Sequence, residues 1–171
     1  MLEHYFQLLD LPEKYAVDKK ELKNKYLAMQ IKFHPDKAID EKQRREFLEK
    51  SMKLNEAEKI LKDDYLRAEY MLKLAGAELN DHTLRGAIST DELEEIMEIH
   101  EAIESTEDLH TLQKIKSLKL QEKDEMVKEL GNSFDTNNIA KALDLTVRLK
   151  YLTNLVRNIE LKVKHADSRN L

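Results

Sequence analysis

Residues 22–38 read LKNKYLAMQIKFHPDKA, and the fold is decided by how this stretch ends. Leu22, Tyr26, Met29 and Phe33 recur at helical spacing and make one buried stripe. Asp18 ahead of them, with Glu21 three residues on, has the pattern of a capping box that satisfies early backbone N–H groups, so the helix starts there. It stops at His34. Pro35 disfavours the helical conformation in the residue before it and has no N–H to give to the next helical bond. From about Asp40 the pattern turns helical again, so two helices meet at a His34-Pro35-Asp36 corner.

Working outward, a short helix is expected over about Glu3–Leu9, with Tyr5, Phe6 and Leu9 as core side chains. The helix after the corner runs to about Leu61 and offers Phe47, Leu48, Met52, Ala57, Ile60 and Leu61 for packing. A shorter one, about Tyr65–Leu74, closes at Gly76. Residues 76–88, GAELNDHTLRGAI, hold two of the chain's three glycines and little periodicity, which marks a linker. Three more helices follow, about Asp91–Ser105, about Asp108–Leu130 ending at Gly131, and about Asn137–Lys164. In the last, Ala142, Leu145, Leu149, Leu152, Val156, Ile159 and Val163 form a heptad seam. The expectation is an all-α protein in which residues 1–76 form a helical hairpin with short helices, 77–88 a linker, and 89–171 an antiparallel three-helix bundle.

Composition agrees with this class and narrows the function. The 171 residues are 37% charged and 41% hydrophobic, with three glycines and two prolines. No cysteine is present, so disulfides and thiolate metal sites made by this chain alone are excluded. The net charge of −5 argues against nucleic-acid binding. That charge is uneven: residues 1–76 are nearly neutral, and the acidic excess lies in 77–171. The start, MLEHYFQLLDL, lacks the pattern of a secretory or transit signal, and no apolar run reaches the roughly 20 residues that span a bilayer. A cytoplasmic protein without membrane contact is expected. No HExxH, no glycine-rich phosphate loop and no nucleophile beside a base occur, so an enzyme is not expected; nor is a cofactor.

On its residues alone the corner also reads as ordinary turn chemistry, since X-Pro-Asp is a common turn. Yet His-Pro-Asp arises by composition in only about one chain of this length in a hundred, and here it sits between two long amphipathic helices. With Tyr5 and Phe6 before it and Asn55-Glu56-Ala57 after it, the arrangement resembles the J-domain family, co-chaperones that stimulate ATP hydrolysis by DnaK-type chaperones. Residues 64–76, DYLRAEYMLKLAG, and the acidic bundle beyond them are similar to the HscB-type members, with Tyr65 where those usually carry proline. The resemblance implies that residues 1–76 are a J domain. It also implies two partners, a specialised DnaK-like ATPase (HscA) and an IscU-type iron–sulfur scaffold protein, and a bacterial cytoplasmic setting. The alternative is a co-chaperone of a general DnaK whose C-terminal bundle binds clients or dimerises.

For the chaperone the resemblance implies His34, Pro35, Asp36 and Lys37, with Lys23, Lys25 and Lys32 adding positive charge; each lysine also reads as part of a solvated helix face. Many J domains are basic where this chain has Leu27 and Ala28. The stretch Asp91–Asp108 carries nine acidic residues and no Lys or Arg, with Leu93 and Met97 at the edge of an apolar arc. A partner with an apolar patch and a basic rim suits such a face, although a bundle core could also absorb both side chains. By position the resemblance assigns Leu93, Met97, Glu98, Glu101 and Tyr151 to scaffold binding, with Glu94 and Ser105 departing from the family's pattern. Tyr151 falls about 100° from the seam residue Leu152, which favours a surface anchor.

Overall fold

In the computed structural model the described residues are 4–80, 83 and 88–168. Among them every regular element is helical: α1 (Tyr5–Leu8), α2 (Lys19–Lys32), a 3-10 turn (Pro35–Lys37), α3 (Glu41–Lys62), α4 (Asp64–Leu74), α5 (Thr90–Ser105), α6 (Leu109–Asp135) and α7 (Ile139–Ser168). The chain divides into two units, Met1–Gly76 and Ala77–Leu171. Of the expected linker 77–88, residues 81, 82 and 84–87 lie outside the described residues, as do Glu3 of the first expected helix and residues 169–171. No described helix is long and apolar enough to cross a membrane.

The first unit is punctuated by aspartates. Asp18 accepts from the N–H groups of Lys20 and Glu21 at 2.7 and 3.2 Å, Asp40 from Gln43 at 2.7 Å, and Asp63 from Leu66 at 2.9 Å. Each bond satisfies a donor that has no partner inside its helix, which fixes where α2, α3 and α4 begin. At the other end, Phe33 makes the last helical bond of α2, to Met29 O at 2.9 Å, and Pro35 stops the ladder. Beyond α4, Gly76 takes φ +77°, a left-handed conformation glycine adopts without a Cβ clash, and its N–H reaches Lys73 O.

The core of this unit is a line of side chains from all its helices. Phe6, Leu9, Tyr15, Leu22, Leu54, Leu61 and Leu72 are buried, each aliphatic one worth about 2 kcal/mol by area removed from water. Leu22 leads the α2 stripe, while Tyr26, Met29 and Phe33 are half-buried. In α3 the inward line is Phe47, Leu54 and Leu61 at intervals of seven, with Ala57 beside it. Leu48 and Met52, expected to pack, are exposed instead. They sit about 100–140° around the helix from Phe47, outside the arc that α1, α2 and α4 cover.

One buried charge fastens α4 to the rest. Arg67 donates to Leu61 O and to Asp64 Oδ1, both at 2.7 Å, and its guanidinium lies 4.5 Å from the ring of Tyr15. The Tyr15 hydroxyl in turn donates to Asp64 O at 3.0 Å. Burial pushes the Tyr15 phenol above its ordinary range, so it stays a neutral donor. Nearby, Tyr5 N–H donates to the Tyr70 hydroxyl at 2.9 Å, with the two rings 4.8 Å apart.

The second unit is a three-helix bundle. Lys116–Glu160 (3.1 Å) and Lys141–Glu129 (2.7 Å) pair α6 and α7 in opposite directions. Arg148 with Glu92, and Lys162 with the carbonyls of Ile103 and Glu104, pair α5 and α7 in the same direction. Ile103, Leu112, Leu152, Leu155, Val156 and Ile159 form the core between them. The expected seam of α7 is buried from Ala142 to Ile159, and Thr146, Val147 and Leu155 are buried as well, a broader arc than a coiled-coil stripe. Helix α6 does not end at Gly131. It continues to Asp135, because an interior glycine costs only about 1 kcal/mol and the further turn buries Ser133 and half-buries Phe134. Asn137, at φ +53°, makes the turn instead.

Arg67→Ala is expected to lower the unfolding free energy by about 2 kcal/mol, since it removes the buried donor to the Leu61 carbonyl and leaves the part-buried Asp64 carboxylate with only Lys19, at 3.8 Å. Urea unfolding followed by far-UV circular dichroism measures this; a loss below about 0.5 kcal/mol would contradict the role given to the guanidinium.

Candidate functional site

The His34-Pro35-Asp36 corner is tied through its backbone and open through its side chains. Lys37 N–H donates to His34 O at 2.9 Å and Ala38 N–H to Pro35 O at 3.2 Å, closing the 3-10 turn. His34 Nδ1 accepts from Asp36 N–H at 3.2 Å, so the neutral ring carries its proton on Nε2. The His34 and Asp36 side chains are 55% and 81% exposed, with Nδ1 and Asp36 Oδ2 3.5 Å apart. Below the corner, Phe33 meets Phe47 edge-to-face at 5.5 Å, and Lys50 lies 4.1 Å from the centroid of the Phe33 ring.

A polar ladder holds the two long helices of this unit in register. Tyr26 donates to Asn55 Oδ1 at 2.8 Å, Gln30 Nε2 donates to the same oxygen at 2.7 Å and to Ser51 O at 3.2 Å, and Ser51 Oγ donates to Gln30 Oε1 at 2.8 Å. The sequence reading missed Gln30, Ser51 and the use of the Tyr26 hydroxyl. Their signal was polar side chains at helical spacing along the edge of the two apolar stripes.

The lysines differ in their surroundings. Lys23 and Lys37 are exposed, and Lys32 is exposed with its Nζ 5.3 Å from the centroid of the Phe33 ring. Lys25 pairs with Asp10; that hydrogen bond holds the Asp10 carboxyl below its ordinary range and the Lys25 ammonium above its own. Part of the Lys25 charge is therefore already neutralised. No group of three or more His, Asp or Glu with metal-site geometry exists among the described residues.

The acidic helix α5 is held at both ends by α7. At its start, Ser89 and Glu92 form a reciprocal capping box, and Arg148 reaches Glu92 while also pairing with Asp144 at 3.0 Å. At its end, Lys162 caps the terminal carbonyls. The hydrogen bonds from Ser89, with Arg148 adding to them, hold the Glu92 carboxyl below its ordinary range. Ile99 and Ile103 turn into the core, whereas Leu93 and Met97 turn outward, Met97 being 64% exposed. Met97, Glu98 and Glu101 share one shallow groove with Glu94, His100 and Glu104. Tyr151 is half-buried and lines a separate groove with Ile88, Glu92 and Ile96, the last two on a different face of α5 from Met97, Glu98 and Glu101. It is less open than the surface anchor its position on α7 suggested.

Comparison with known proteins follows the same division. Residues 4–70 match the family described as DnaJ domain, and residues 89–160 the family described as HSCB C-terminal oligomerisation domain. The co-chaperone protein HscB of Buchnera aphidicola subsp. Acyrthosiphon pisum is 43% identical over 83 residues, 47% of this chain and 48% of that one. The chain thus matches about half the length of that relative. A co-chaperone protein HscB homolog of Acinetobacter baumannii is 30% identical over 160 residues, 92% of this chain and 88% of the other. Among solved structures, the crystal structure of human co-chaperone protein HscB superposes with a TM-score of 0.86 at 26% identity, covering 94% of this chain and 82% of that one.

The depressed Glu92 carboxyl has a consequence for stability. Its contribution is complete at neutral pH and is lost as pH falls through the folded-state value. Glu92→Gln keeps an acceptor for the Ser89 N–H and removes the titration. The variant's thermal midpoint is therefore expected to fall less than that of the unmodified chain between about pH 6 and about pH 3. Equal falls would show that this carboxylate is not linked to folding.

Proposed function

The chain belongs to the HscB family of co-chaperones, proteins that are not themselves enzymes, and on that premise we propose that it joins two partners in iron–sulfur cluster assembly. In this reading residues 1–76 are the J domain, stimulating the ATPase of a DnaK-like chaperone of the HscA kind. Residues 89–171 carry an IscU-type scaffold protein to that chaperone in the cytoplasm, with 77–88 as the link.

The observation that carries the reading is the contrast at the corner between tied backbone and exposed side chains. A group evolved only to stop a helix has no need to leave an imidazole and a carboxylate unburied beside each other. Pre-set in this way, Asp36 can accept from a cationic group of the ATPase, and the His34 Nε2–H can donate to an acceptor beside that group, with little ordering cost on binding. Lys37, Lys23 and Lys32 add positive charge that speeds encounter, and Lys25 adds less because Asp10 already holds it.

For the scaffold the reading rests on Leu93 and Met97, which the bundle core leaves out, and on Glu98 and Glu101 beside them. Such a strip fits a partner with an apolar patch and basic margin. Tyr151, half-buried in its own groove on α7, is assigned to the scaffold by the same reading as an aromatic contact apart from the strip. A second reading, in which the C-terminal unit pairs with another copy, is favoured by the description of the family matched by residues 89–160. Sedimentation of the chain alone separates the two.

His34→Gln and Asp36→Asn are each expected to abolish stimulation of the chaperone ATPase in a steady-state phosphate-release assay while far-UV circular dichroism stays unchanged. Full stimulation by either variant would remove the corner from the mechanism. Replacing Leu93, Met97 and Tyr151 together by Ala is expected to weaken scaffold binding by about tenfold or more, with ATPase stimulation in the absence of scaffold intact. Unaltered titration calorimetry would place the scaffold elsewhere.

A further inference from the structure

Independently of both partners, we propose that the space beneath α5 is a binding site for a small monocation carrying an apolar group of about six carbons, such as an arylalkyl amine. Its apolar part occupies a cavity between α5, α6 and α7, and its charged end rests on the rim beside Glu95.

The cavity exists because α6 breaks its own pattern. Leu112, Lys119, Lys123, Met126 and Leu130 follow one another at intervals of seven, four, three and four, which keeps all five on the inward line of the helix. Leu112 and Leu130 fill the ends of that line and are fully buried, but two half-buried lysines hold its middle. A lysine on such a line extends its stem to the edge and sets its ammonium there. Lys119, with 19% of its side chain exposed, reaches Glu122 in this way at 2.7 Å. Where a leucine would pack, a space of about 120 Å³ remains. Its walls are Ile96 and Ile99 of α5, Met126 of α6, and Leu152 and Leu155 of α7. Helix α5 is braced to α7 near its two ends, through Glu92 and through the carbonyls of Ile103 and Glu104. Among the described residues no ion pair draws its middle down to close the gap.

Floor and rim together specify the occupant. A void of this size walled by aliphatic side chains takes a ring or a short branched chain. On the rim Glu92 is matched by Arg148 and Glu122 by Lys119. Glu95, exposed on the same rim, has no cation partner among the described residues. Three carboxylates against two cations leave one negative charge over an apolar floor. Tyr151 adds an aromatic ring to that rim, and such a ring attracts a cation and not an anion. An ammonium therefore gains at the mouth what a carboxylate loses. Of the lining residues only Tyr151 also belongs to the proposed scaffold contact, since Met97, Glu98 and Glu101 lie on another face of α5.

The test is methyl NMR of the full chain labelled at Ile, Leu and Met, titrated in turn with benzylammonium chloride, benzyl alcohol and benzoate. Benzylammonium is expected to shift the Ile96, Ile99 and Met126 methyls saturably, with a Kd on the order of 1 mM as suits so few non-hydrogen atoms, and to raise the thermal midpoint. Benzoate is expected to bind at least about tenfold more weakly, and Glu95→Gln to weaken benzylammonium about threefold while leaving benzyl alcohol unchanged. Ile99→Phe fills the cavity from α5 and Met126→Phe fills it from α6, and each is expected to abolish the saturable shifts. Because the two act from different helices, loss of fold in one leaves the other as the test. No saturable shift of the unmodified chain up to about 20 mM benzylammonium would overturn the proposal. So would equal binding of benzoate, undiminished affinity in Glu95→Gln, or shifts that persist in a folded, cavity-filled variant.

Discussion

A proline that can neither donate a hydrogen bond nor allow a helical residue before it is the constraint from which the first unit is built. Pro35 ends α2 where the Phe33 amide has made its last helical bond, and the chain must turn within a few residues to return as α3. The turn is closed by backbone bonds from Lys37 and Ala38, and the stems are locked by the Phe33–Phe47 contact and the ladder through Asn55. Because backbone and stems absorb all the restraint, the His34 and Asp36 side chains need no internal partners beyond each other. Their exposure follows from rigidity underneath.

The second unit solves the same problem differently. A helix with seven acids and no Lys or Arg between residues 90 and 105 repels itself and gains little from intrinsic charge pairing. It is stabilised where its dipole can be used: carboxylates lie at its N-terminus in the capping box, and Lys162 sits on its final carbonyls. Arg148 and Lys162, both from α7, thereby fix α5 at two points 14 residues apart on α7. The middle of α5 is left free of cross-helix ion pairs among the described residues, and there Met97, Glu98 and Glu101 face outward.

Local signals in the chain were legible from sequence and long-range ones were not. Aspartate caps, the proline stop and the period of α7 act within a few residues, so the described helix limits fall close to expectation at α2, α3, α4 and α5. Gly131 misled because a breaker's small intrinsic cost is overruled by burying Ser133 and part of Phe134, which depends on what α6 packs against. Leu48 and Met52 read as core because they are apolar, yet the arc covered in α3 is set by neighbouring helices. The Lys25–Asp10 pair joins residues 15 apart through a turn made by Asp10 at φ +52°, which no helical pattern reveals. Leu93 and Met97 stayed ambiguous for the same reason: only the position of Ile99 and Ile103 in the core decides which edge of the arc faces water.

The central claim is that one chain carries two separate recognition surfaces, each rigid before its partner arrives. Backbone amide NMR of the labelled full chain tests it most directly, with a DnaK-type ATPase and an iron–sulfur scaffold protein added in turn. The account predicts that the ATPase perturbs the amides of Phe33–Ala38 and leaves those of Leu93–Glu101 in place, and that the scaffold does the reverse. Perturbation of the same set by both proteins, or of neither segment, would contradict it.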